Sequence, residues 1–241
     1  FVMRRMADQA PWVIGRAGMH YRDLIPSRLG GSIIASHIRI PGGGPVPDIV
    51  HFHSVGFQLI YCYKGWVDLV YEDQGAPFRL KAGNCVIQPP EIRHRVLFAS
   101  EDLEVIEIGV PAEHVTTIDH DLDLPTEHMR PDRLFEGQRF VHYKADKTEW
   151  RPFRLPGFVA RDTMICANTG AVAGVQVVKP GPGRPVWSCH TSDIHFTFVL
   201  HGQLTLQSKE QAAQTLVAGD AFVIPPDMAC LYSALSEDLE L

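Results

Sequence analysis

Residues 83–105 read GNCVIQPPEIRHRVLFASEDLEV, and residues 219–241 read GDAFVIPPDMACLYSALSEDLEL. The two stretches align without a gap, sharing the glycine, the Pro-Pro pair and the run Ser-Glu-Asp-Leu-Glu at an offset of 136. Upstream, His53 aligns with His190 and Gly65 with Gly202 at an offset of 137, so one residue of insertion separates the blocks. The loop Pro41–Pro45 has a counterpart in Pro180–Pro185. A chain that repeats itself at this period is two copies of one unit, and whatever fold one copy takes the other must take too.

The unit is built of short β-like runs. Ser32–Ile40, Phe57–Tyr63, Trp66–Tyr71 and Leu103–Val110 are rich in β-branched and aromatic residues, and Gly and Pro punctuate them at Pro41–Pro45, Lys64-Gly65, Ala82-Gly83-Asn84 and Pro89-Pro90. Even spacing of short strands and turns predicts an all-β sandwich or barrel. No amphipathic helix longer than about two turns is expected. The polar stretch from Pro111 to about Arg139 reads as the connection between the copies, and its histidines, His114, His120 and His128, as solvated loop residues. The boundary is expected near 130, giving an N-terminal domain over 1–130 and a C-terminal domain over 131–241.

Composition narrows the function. The 241 residues are 45% hydrophobic, enough for one large core or two ordinary ones, and the net charge is −6 with the cations scattered. No basic stripe exists to hold nucleic acid. Five cysteines without a CxxC pair argue against a zinc ribbon or a disulfide framework, and a reducing cytoplasm is the expected setting. No apolar run approaches the ~18 residues of a membrane span, and no signal-peptide core opens the chain. The chain begins at Phe1 rather than Met and stops at Leu241 in an apparent strand, so both natural ends are expected to lie beyond it, which limits any reading of targeting signals.

His51-Phe52-His53 carries the chemistry. Two histidines two residues apart on a strand point to one face, and His94 arrives just after the Pro89-Pro90 turn. Three imidazoles meeting inside a β-structure make a first-row transition-metal site. His51-x-His53, four residues, Gln58, six residues and Gly65, followed by Gly83, five residues, Pro89-Pro90-Glu91, two residues and His94, resembles the two motifs of the cupin superfamily. The match recurs in degraded form downstream, and it covers roughly residues 35–110 and 175–241.

The resemblance implies a bicupin: two tandem double-stranded β-helix, or jelly-roll, barrels, each binding ligands in its mouth. It implies one divalent metal held by His51, His53 and His94, with iron(II) first and nickel, manganese or zinc as alternatives. This sequence departs from the motif twice. Glu91 stands where the family has a turn glycine, and Gln58 where it has a ligating glutamate. Gln58 offers an amide oxygen as a weak ligand, or hydrogen-bonds a bound water or substrate. Without the carboxylate the metal keeps nearly its full charge and suits a bidentate anionic oxygen ligand such as a catecholate, enolate or α-hydroxy acid. The expected function is therefore an iron-dependent dioxygenase acting on a small aromatic or diketone-like chelator. A metal-dependent isomerase or lyase, or a non-catalytic small-molecule-binding cupin, remains the alternative.

Around this site, Glu107 is a candidate general base if its strand turns it inward, and otherwise a structural carboxylate. Cys62 shares Gln58's face and is expected as a small apolar wall, His37 as a packing residue, and Glu91 and Arg93 as exposed turn charges. In the second copy Ser188, His190, His195 and Cys230 stand at the positions of His51, His53, Gln58 and His94. A metal-free, structural barrel is expected there, against a second site built on His190, His195 and Cys230. The resemblance also leaves room for a homodimer, since barrels of this family commonly pair through their sheets.

Overall fold

The computed structural model describes residues 1–241. The chain is almost entirely strand and turn; its one α-helix is the four-residue Ile165–Asn168. The expected runs form strands with their edges shifted by at most two residues, as Ile34–Arg39, Phe57–Lys64, Trp66–Tyr71 and Glu104–Val110. No helix is long and apolar enough to cross a membrane.

The residues divide into two compact units. One comprises Pro11–Ala145 with Met164–Val175. Seven strands make its first sheet, in the spatial order Val141–Tyr143, Cys85–Ile87, Phe57–Lys64, Glu104–Val110, Ile34–Arg39, His20–Asp23 and Val13–Ile14. Its second sheet runs Val115–Ile118, His51–Ser54, His94–Ala99, Trp66–Tyr71 and Phe78–Lys81, with Gly44–Pro45 added beside His94–Ala99. Alternate residues of both sheets meet in one core, Ile38, Cys62, Val86 and Val105 from the first and Leu69, Tyr71 and Leu80 from the second.

The other unit comprises Phe1–Ala10, Asp146–Thr163 and Gln176–Leu241. Its three small sheets centre on Phe158–Asp162, Gln203–Ser208 and Ala221–Ile224. Phe158, Leu204, Leu216, Phe222, Met228 and Tyr232 belong to its core. These bounds differ from the division at 130. Val141–Tyr143 pairs with Cys85–Ile87, which keeps the chain in the first unit to Ala145. Val2–Arg4 pairs with Ala221–Ile224, which takes the first ten residues into the second. Backbone pairing, not order along the chain, decides which core a segment joins.

The repeat extends to individual hydrogen bonds. Ser100 Oγ accepts from Trp66 N at 2.9 Å, and Ser236 Oγ from Gln203 N at 2.9 Å. The turn donors agree as well: Ala82 N to Gly65 O and Ala218 N to Gly202 O are both 3.0 Å. Glu91 and Asp227, 136 residues apart, both hold left-handed backbone, at φ 61° and 63°.

Candidate metal centre

His51 and His53 alternate onto one face of their strand, and His94 opens the neighbouring strand directly opposite His51. This register brings one ring nitrogen of each to within 4.8 Å of the others. The ring centroids lie 4.2 Å apart for His51–His94, 5.2 Å for His51–His53 and 5.3 Å for His53–His94. Tyr71 stacks on His94 at 5.4 Å and closes that side.

Each ring is held from behind. His51 Nδ1 donates to Ile49 O at 2.7 Å and His94 Nδ1 to Ile92 O at 2.9 Å, which leaves the lone pair on Nε2. His53 Nδ1 meets Thr116 Oγ1 at 2.9 Å, an oxygen able to accept and so to support the same tautomer. Burial pushes all three imidazoles below the usual histidine range, His53 to about 3, with Arg16 or the neighbouring rings adding to it. They are neutral at physiological pH, as metal ligation requires.

Gln58 and Glu107 form a pair. The Gln58 amide donates to Glu107 Oε1 at 2.6 Å, and Gln58 Oε1 is buried with no partner. Desolvation raises the Glu107 carboxyl, while the bond from Gln58 pulls it back. Glu107 is within electrostatic reach of Arg16 and His114, the two side chains that flank the histidines. Anchored Nδ1 atoms, neutral rings and an orphaned amide oxygen fit a bound divalent transition metal on His51, His53 and His94.

Three neighbours lay outside the motif. Arg16 Nη2 donates to His51 Nε2 at 2.8 Å, and its Nη1 meets Asp48 Oδ1 at 2.5 Å. Asp48, its side chain 1% exposed, also accepts from Val96 N at 2.9 Å. His114 is a correction: expected as a solvated loop residue, it packs edge-on against His53 with ring centroids 5.5 Å apart, because Val115–Ile118 pairs with His51–Ser54. Others stay apart from the cluster. His37 is fully buried between Arg22 and Glu104, and Cys62 lies in the core with its thiol pushed up to about 12 by burial. Arg93 is held by Asp119 at 3.1 Å and lies over the Phe52 ring.

No protein-family model matches the chain, and no curated protein matches it in sequence. Solved structures do. The putative glyoxylate induced protein of Pseudomonas aeruginosa superposes with a TM-score of 0.69 at 13% identity, over 99% of this chain and 85% of that one. Lactobacillus farciminis oxalate decarboxylase, in its formate complex, gives 0.68 at 13%, over 100% and 84%. Protein Ylba from E. coli, of the DUF861 family, gives 0.67 at 14%, over 97% and 86%. This likeness shows a shared fold.

The second copy of the repeat has the same backbone contact with different side chains. Ser188 bridges Cys230 as His51 pairs with His94. His190 and His195 meet edge-on at 4.6 Å, but no third ligating side chain joins them as His94 joins the first pair.

Proposed function

We propose that this chain is a bicupin enzyme, an iron(II)-dependent dioxygenase acting through its first unit on a small, oxygen-chelating anion. The observation that carries the reading is the donor set: three imidazoles, His51 and His94 buried and His53 half-buried, with no carboxylate among them. Bound there, iron(II) would supply a nearly uncompensated double charge to a chelating substrate and redox chemistry toward dioxygen. The remaining work belongs to the chain. Backbone carbonyls and Thr116 hold the rings in register, and Tyr71 shields His94 from water. Arg16 has to leave His51 Nε2 before that nitrogen can ligate, and its half-exposed guanidinium is then a cation beside the substrate's negative charge. Glu107, raised by burial and held by Gln58, accepts or returns a proton.

A lyase that needs no oxygen is the second reading. The raised Glu107 carboxyl favours it, as do the solved structures described as oxalate decarboxylases. Protein loaded anaerobically with iron(II) is to be mixed with a β-diketone, a catechol or oxalate, and dissolved oxygen followed. Oxygen uptake matched to a cleaved product supports the dioxygenase. Formate released from oxalate without net oxygen uptake decides for the lyase, and binding without turnover overturns both. Elemental analysis should show metal lost in His51→Ala and His94→Ala and kept in Cys230→Ser.

A further inference from the structure

The second unit holds a cavity of about 240 Å³ that the first unit's chemistry does not use. Arg154, His190, His195, Ile224, Met228 and Tyr232 are among its walls, all of them in that unit. We propose that this cavity is a metal-free site for a small hydroxycarboxylic acid, whose carboxylate meets Arg154 and His195 and whose hydroxyl meets His190.

Each partner follows from a side chain with unmet capacity. Arg154 is exposed, faces no carboxylate and rests only against the Phe153 ring at 5.3 Å. It nonetheless lies close enough to His195 and Tyr232 to act on both electrostatically. His190 Nε2 donates to Ile224 O at 2.8 Å, so its Nδ1 carries a lone pair and needs a donor; none is present. His195 Nδ1 is likewise buried without a partner. Orphaned polar atoms in a cavity wall are costly, and a ligand that supplies a hydroxyl proton and accepts N–H bonds satisfies them together. Burial holds His195 down to about 4, so it is neutral and has an N–H to give.

The site's charge and size choose among ligands. One permanent cation beside the neutral His195 balances a monoanion and leaves phosphate under-compensated. The volume is below that of drug-sized pockets and suits a few carbons, with Ile224 and Met228 against the hydrocarbon part. A metal is not favoured, because Cys230 does not join the two histidines and burial, with Glu210 nearby, keeps its thiol protonated.

The test uses the full chain, chelator-treated and labelled with ¹⁵N at histidine, with lactate as the probe. Lactate should shift the His190 and His195 resonances saturably, and propionate, lacking the hydroxyl, should bind about tenfold more weakly. Arg154→Ala should abolish the lactate response without moving the thermal midpoint, and Arg16→Ala, in the other unit, should keep it. Propionate binding as well as lactate overturns the hydroxyl assignment, and inorganic phosphate binding more tightly overturns the carboxylate. Resonances that respond to zinc alone make this a metal site, and no response to any probe removes the site.

Discussion

His51 shows how one position gathers a site. Its Nδ1 is spent on Ile49, its Nε2 faces Arg16, and across the ladder it meets His94. In the second copy the same ladder contact joins Ser188 to Cys230, so the backbone pairing does not depend on the histidines. Arg16 is the residue most open to test. It competes for the nitrogen a metal needs, so Arg16→Ala should tighten metal binding by about tenfold in a chelator competition. The same change should lower the thermal midpoint of the metal-free protein, since the buried Asp48 loses its counter-charge. Unchanged metal affinity would remove the competition argument. The histidine triad was legible in the sequence because period-two spacing and a proline turn fix where those rings point. Arg16 was not, because it contacts His51 from 35 residues upstream through a glycine turn that carries no motif. Thr116 and His114 were hidden for a related reason: they lie in a segment whose polarity reads as linker.

At the scale of elements, turns hold the two copies to one pattern. A Cβ on Gly65 would lie 2.2 Å from Ser100 Oγ, and one on Gly202 2.3 Å from Ser236 Oγ, and both glycines have left-handed backbone. Gly65→Ala and Gly202→Ala should each cost about 2–3 kcal/mol, from left-handed strain together with the displaced serine hydrogen bond. Gly18→Ala, with left-handed φ but nothing within 4 Å, should cost only about 1 kcal/mol. Urea midpoints at constant m-value give the comparison, and equal losses at all three would mean that the serine contact contributes nothing. Strands such as Trp66–Tyr71 were legible end to end because β-branched and aromatic residues fill the run between turn signals. Val115–Ile118 was not, since all four of its residues are exposed and only pairing with His51–Ser54 makes it a strand.

Over the whole molecule, buried neutral histidines set the response to acid. Desolvation lowers His37, His51 and His94, and takes His53 to about 3 and His142 and His195 to about 4. Below about pH 6.5 the unfolded chain binds protons that the native one refuses, so stability is full above that pH and falls beneath it. The slope should be about 1.4 kcal/mol per pH unit for each such histidine. Urea unfolding of the chelator-treated protein at pH 7.5, 6.5 and 5.5 should therefore, to a rough approximation, show a steep loss confined to the lower interval. Equal stability at all three would mean that these rings are not refusing protons. The almost all-β character was legible in the short strand-like runs, but the partition into units was not, because a linear pattern names segments and not their partners. The clearest instance is Val2–Arg4, whose Val2 pairs with Val223. At a synthesis rate of roughly 5–20 residues per second, some ten to forty seconds separate the emergence of these two residues from the ribosome. For that interval Val2–Arg4 is an open edge awaiting Ala221–Ile224, and the nascent chain has to keep it from finding another partner.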